Sequence, residues 1–165
     1  MPEPAHIHRR PGVVEASFHA QFDHPASEVW SYLTDPARLP LWMAPGEVGQ
    51  ACGAPVHLDF GDSGVVVDSI VTAFEPGRLI QYAWSGRDEP QRPLTWRVDP
   101  DGDGRVTLEL VVQIPEGEDA ARAFAGWDAH LEMLAAALEK VAIRFPFEHF
   151  KARRAHYSAE LEKAA

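Results

Sequence analysis

Residues 119–144 read DAARAFAGWDAHLEMLAAALEKVAIR. Apolar side chains fall at Phe124, Trp127, Leu131, Leu134, Leu138 and Val141, then at Phe145, in alternating steps of three and four. That spacing lines one side of an α-helix. Pro115 and Gly117 precede the stretch, Asp119 is placed to cap it, and Pro146 blocks its clean continuation. At about 1.5 Å per residue the helix would run roughly 39 Å, enough to cross a small domain. A stripe of this length needs a surface to bury against, and the chain before it reads almost entirely as strand.

Residues 56–114 carry that surface. Val56, Leu58 and Phe60 alternate with His57 and Asp59, and Gly61-Asp62-Ser63-Gly64 makes a turn. A second strand over 65–74 places Val66, Ile70 and Phe74 among polar residues, and Glu75-Pro76-Gly77 turns again. Ile80, Tyr82 and Trp84 share one face of the third, and Leu94, Trp96 and Val98 one face of the fourth. In the last, Val106, Leu108, Leu110 and Val112 alternate with Thr107, Glu109 and Gln113. The segment between these two strands, Asp99-Pro100-Asp101-Gly102-Asp103-Gly104, resembles the opening of a calcium loop. The twelfth place, which needs a carboxylate, holds Leu110, so the segment reads as a hairpin turn.

Toward the start of the chain, Val14, Ala16, Phe18, Ala20 and Phe22 alternate with Glu15, Ser17, His19 and Gln21, giving a half-buried strand that His24-Pro25 ends. Ser27–Thr34 reads as a short helix with Ser27 as cap, and Asp35-Pro36 closes it before a second turn through Leu39 to Trp42. Residues 1–12, with three prolines and little to bury, read as a flexible arm. The expected organisation is therefore an arm over 1–12, one α+β domain over 13–144 and a helical extension over 145–165. Phe147, Phe150, Tyr157 and Leu161 fall on one side of that extension. They would pack on their own domain or form a homodimer contact through residues 145–165.

Composition narrows the partners. The 165 residues carry a formal net charge of -10, which opposes nucleic acid and anionic lipid. One cysteine, Cys52, excludes an internal disulfide and any CxxC metal or redox site. No apolar core near the start fits a signal peptide and no run is long enough to insert in a membrane, so the expectation is a soluble cytoplasmic protein. No metal or cofactor site is expected. There is no HExxH, GxSxG, P-loop or GxGxxG, so no catalytic residue is assigned. His130 sits on the edge of the helical stripe, where a histidine either packs or exchanges a proton.

The aromatics carry more. Trp42, Phe60, Tyr82, Trp84, Trp96, Phe124 and Trp127 fall on inward faces or at the end of the short-helix pair. Gly126 inside the long helix costs about 1 kcal/mol relative to alanine, so either another element approaches there or the helix borders open space. A wide aromatic lining with few polar groups fits a pocket for an apolar molecule. The candidate ligand-binding residues are these seven with His130, Leu131 and Leu134.

The order of strand, paired short helices, hairpin sheet and long final helix resembles the helix-grip fold of the START-like, or SRPBCC, superfamily. Within it the chain is similar to the heat-shock-protein-90 ATPase-activator homologue-like group. Pro25-Ala-Ser-Glu-Val-Trp30-Ser-Tyr-Leu-Thr-Asp35-Pro36 followed by Trp42, and Arg78-Leu-Ile-Gln-Tyr82-Ala-Trp84, carry the resemblance. Thr107-Leu-Glu-Leu110, Gly126-Trp127, His130-Leu131 and Leu134 complete it, over about residues 13–142. The resemblance implies a curved antiparallel sheet gripping the long helix, with a hydrophobic cavity between them for lipids, polyketides or other apolar molecules. Binding of a small hydrophobic or aromatic molecule is the first expectation. A cavity enzyme of cyclase, aromatase or hydrolase type, using His130, Tyr82 or Asp128 for proton transfer, is the second. A protein-interaction or chaperone-regulating domain is the third.

Overall fold

The computed structural model describes residues 3–163 and is an α+β protein built on one curved, unclosed sheet of eight antiparallel strands. The strands are β1 (His6–Arg10), β2 (Val13–Phe22), β3 (Gly46–Val48), β4 (Pro55–Asp59), β5 (Val66–Glu75), β6 (Leu79–Ala83), β7 (Pro93–Pro100) and β8 (Val106–Pro115). Their order across the sheet is β1-β2-β8-β7-β6-β5-β4-β3. Only the β2–β8 neighbours are far apart in sequence. Between β2 and β3 come α1 (Ala26–Thr34) and a 3₁₀ turn at Leu39–Leu41; α2 (Ala120–Leu138) and α3 (Phe147–Lys163) follow β8. This is the helix-grip arrangement. Among the described residues no helix is long and apolar enough to cross a membrane.

Alternation sets the faces. In β8, Val106, Leu108, Leu110 and Val112 are buried, as are Leu94, Trp96 and Val98 across the pairs Val98↔Leu108, Trp96↔Leu110 and Leu94↔Val112. In β5 the inward residues are Val67 and Val71, while Val66 and Ile70 are exposed, the opposite of the face expected. The register of β5 on β6 slips between Val71 and Ala73, a bulge of the kind that bends a sheet. At the far edge, Gly46 lets β3 approach β4: a Cβ there would stand 2.0 Å from the His57 carbonyl oxygen.

Two segments differ from expectation. Residues 6–10, read above as arm, form the edge strand β1, paired with β2 from His6↔Ser17 to Arg10↔Val13. Pro11-Gly12 makes the turn, with Gly12 at φ 78°. The long helix is also shorter, ending at Leu138, so its 19 residues span roughly 28 Å. There Lys140 adopts the left-handed conformation, φ 62°. The amides of Lys140 and Val141 donate back to Ala137 and Ala136, a Schellman closure without glycine. Asp119 does cap the other end, its carboxylate accepting from the Arg122 amide at 3.1 Å. In α1, by contrast, the cap position is Pro25, and Ser27 makes no capping bond.

The tail packs within its own chain. Tyr157 of α3 is fully buried, with its ring 5.9 Å from Phe124. Its hydroxyl donates to the Asp128 carboxylate and accepts from the Ala5 amide at 2.9 Å. Arg154 reaches Asp119 at 2.8 Å, and Arg9 of β1 donates to the Leu161 carbonyl at 2.8 Å. One hydroxyl thus ties α2, α3 and the segment leading into β1.

Candidate ligand-binding site

The inner faces of β6 and β7, the Leu39–Trp42 turn and the α2 stripe converge on a connected run of rings. Trp42 meets Trp96 with centroids 5.8 Å apart, and Trp96 meets Trp127 at 5.7 Å. Trp127 meets Trp84 at 4.8 Å, Trp84 meets Phe60 at 5.7 Å, and Phe60 meets His130 at 6.0 Å. All five contacts are edge to face, the arrangement in which ring edge and ring face attract. Six of the ten expected site residues therefore touch in sequence, from fully buried Trp42 to half-buried Phe60, Trp84 and His130. Tyr82, Leu131 and Leu134 are buried in the same core. Phe124 is set apart, with its ring against Tyr157 on the α3 side.

Between the sheet and α2 these rings pack edge against face. Clefts open at the rim. One cleft of about 470 Å³ is lined by Gly64–Val67 and by Trp84, Ser85, Gly86, Arg87, Glu89 and Arg92. Trp84, which stands on Trp127, and the buried Val67 link it to the core. Arg92 is held there by Glu118, at 2.7 and 3.3 Å, and that pairing raises its already high pKa further. A second cleft, of about 370 Å³, lies between β1, the start of α2 and α3, away from the rings.

His130 is the ionisable group in the run of rings. Its Nδ1–H donates to the Trp42 carbonyl at 3.0 Å, which fixes the tautomer and leaves Nε2 as the acceptor. Burial holds its pKa below the ordinary histidine value, with the Trp42 carbonyl opposing that shift, so the imidazole is neutral at pH 7. Phe145 of the α2–α3 linker lies 5.7 Å from it and Phe150 lies 5.6 Å from Phe145, extending the run. Sequence reasoning placed Phe145 on the helical stripe; the end of α2 at Leu138 puts it in the linker, over the rim. Gly126, one turn before His130, has open space where a Cβ would stand. No strand approaches it. Asp128, a proposed proton donor, instead faces α3, where burial raises its pKa against the opposing bond from Tyr157.

Deeper in, two polar atoms are unsatisfied. The Tyr82 hydroxyl and the Trp96 Nε1–H are both buried without a hydrogen-bond partner. They sit on neighbouring strands of one face, since Tyr82 pairs with Leu94 and Ile80 with Trp96. The indole N–H is near enough to oppose the upward push of burial on the phenol's pKa, yet it falls outside hydrogen-bonding geometry. A buried polar group left unpaired costs about 1–3 kcal/mol.

Comparison with known proteins agrees with this architecture. The structure of CalU16 from Micromonospora echinospora superposes with a TM-score of 0.78 at 21% identity, covering 94% of this chain and 95% of that one. A conserved protein of unknown function from Enterococcus faecalis, EF2215, gives 0.82 at 15% identity, covering 98% and 92%. DynU16, a protein of the dynemicin biosynthetic locus, gives 0.67 at 29% identity, covering 76% of this chain and 47% of that one. No curated protein matches the chain in sequence. The family model for activator of Hsp90 ATPase homolog 1-like proteins matches residues 23–139, from the end of β2 to the end of α2. The chain belongs to that family, within the SRPBCC superfamily.

Proposed function

We propose that the protein binds a small, planar, apolar molecule among the rings between α2 and the sheet, entering over Trp84. The observation that carries this reading is the unbroken run of edge contacts from the core at Trp42 to the cleft at Trp84 and the rim at His130. Each such contact contributes about 0.5–1.5 kcal/mol beyond burial. A flat ligand that parts Trp84 from Trp127 replaces ring contacts with ring contacts, so opening the run costs less than opening an aliphatic core. A structural neighbour, DynU16, is a protein of a biosynthetic locus, which supports a ligand-binding reading. Native mass spectrometry and thermal shift against planar aromatic and aliphatic probes test the proposal. Planar probes should bind and raise the melting temperature, because a ligand of the folded state alone stabilises it. A library in which no aromatic binds ends the reading.

An enzyme is the second reading, favoured by the neutral His130 with its Nε2 free to accept a proton. It requires that a bound probe be chemically changed, and that His130→Gln abolish the change while leaving the probe's affinity intact. Bound probes recovered unaltered would leave binding alone.

A further inference from the structure

The interior polar pair on β6 and β7 narrows the ligand class, and the inference rests on the binding reading above. We infer that Tyr82 and Trp96 form the polar subsite of the ligand site and take an oxygen acceptor, a carbonyl carried on a planar aromatic body. Both side chains are fully buried, and neither polar atom has a partner within hydrogen-bonding geometry, the indole N–H lying close to the phenol oxygen. Trp96 is also the middle ring between Trp42 and Trp127, so a ligand among the rings lies against the indole. An indole can only donate, whereas a phenol donates one hydrogen and accepts. A ligand hydroxyl that donates to Tyr82 and accepts from the indole leaves the phenol hydrogen unpaired, and one that accepts from both leaves its own hydrogen unpaired. An oxygen that only accepts takes both donors and brings no hydrogen of its own, which favours a carbonyl over a hydroxyl.

Fluorene and 9-fluorenone test this, being rigid, planar and different in one position, CH₂ against C=O. Without donors the ketone binds no tighter than the hydrocarbon, because its carbonyl leaves water unrepaid. With both donors the ketone should bind roughly three- to tenfold tighter by titration calorimetry. Its carbonyl stretch should fall in frequency in the bound infrared spectrum. Tyr82→Phe keeps the ring and removes one of the two donors, so it should lower the ratio while fluorene affinity holds. Should that variant not fold, the wild-type ratio and the carbonyl stretch decide alone. Fluorene bound as tightly as the ketone, or a ratio unchanged in Tyr82→Phe, overturns the subsite and leaves the binding reading standing; a fixed water on the two donors would give that result. If neither probe binds, the binding reading itself falls and takes the subsite with it.

Discussion

Trp84 and Trp127 meet edge to face with centroids 4.8 Å apart and planes at 74°, the tightest ring pair among the described residues. One ring belongs to the open cleft and the other to the helix stripe, so this contact separates solvent from core. Trp84→Ala removes contacts to Trp127 and Phe60 together. The expected loss of stability by urea denaturation is about 2–3 kcal/mol, below the range for a fully buried tryptophan because Trp84 is half-buried. The same variant should bind a fluorescent apolar dye more readily than wild type, through the space it opens. A dye signal equal to wild type would show that Trp84 does not close the core.

The bond from Tyr157 to Asp128 predicts what α3 does. Tyr157→Phe removes the donor to a buried carboxylate and the acceptor of the Ala5 amide, leaving Arg153 beside Asp128 at 3.8 Å. A loss of about 1–3 kcal/mol is expected. Removing residues 147–165 exposes Phe124 and Asp128 and should destabilise the domain more than the point change. Were α3 present to pair two chains, the deletion would instead halve the mass in light scattering and leave the unfolding midpoint in place.

The strands were legible wherever one face meets the core, because period-two alternation is the direct imprint of one-sided burial. β8 and β7 show this at Val106 to Val112 and at Leu94 to Val98. β1 was not legible: His6, His8, Arg9 and Arg10 line an edge strand held mainly by its ladder with β2, and backbone pairing leaves no apolar pattern. The helix stripe was read correctly to Leu138 but not its end, since Lys140 occupies the left-handed position that usually carries glycine. Val141, at 53% exposure, kept the spacing by coincidence. Most of the ring cluster was visible because aromatics on inward faces must meet. What sequence could not give was which rings meet, or that Tyr82 and Trp96 lack a partner in hydrogen-bonding geometry, because both depend on distances between strands.

Gly126 gives the simplest prediction. A Cβ at this position meets nothing within 4 Å, and its backbone φ is not positive. Alanine therefore adds no clash while lowering the conformational entropy of the unfolded chain. Gly126→Ala should raise stability by up to about 1 kcal/mol. If it also weakened planar-probe binding, the ligand would extend onto this flank of α2; unchanged affinity would confine it to the Trp84 side.

Two histidines should move stability with pH in opposite senses. His24 holds Glu139 through Nε2 at 2.8 Å and Glu28 through Nδ1 at 3.3 Å, and these carboxylates, Glu139 foremost, raise its pKa above the ordinary value of 6.5. Its contribution is fully present below pH 6.5 and is lost as pH rises through the folded pKa. Burial lowers the pKa of His130 below 6.5, so the unfolded chain takes up that proton first, and its effect destabilises the fold as pH falls from 6.5 through the folded pKa. Urea unfolding of His24→Gln across pH should show a deficit against wild type that closes on the alkaline side. The gap between wild type and His130→Gln should instead change only on the acid side of pH 6.5. A deficit in His24→Gln that grows with rising pH would mean the imidazole is neutral in the fold, and its bridge from the α2 terminus to α1 would then be an ordinary hydrogen bond.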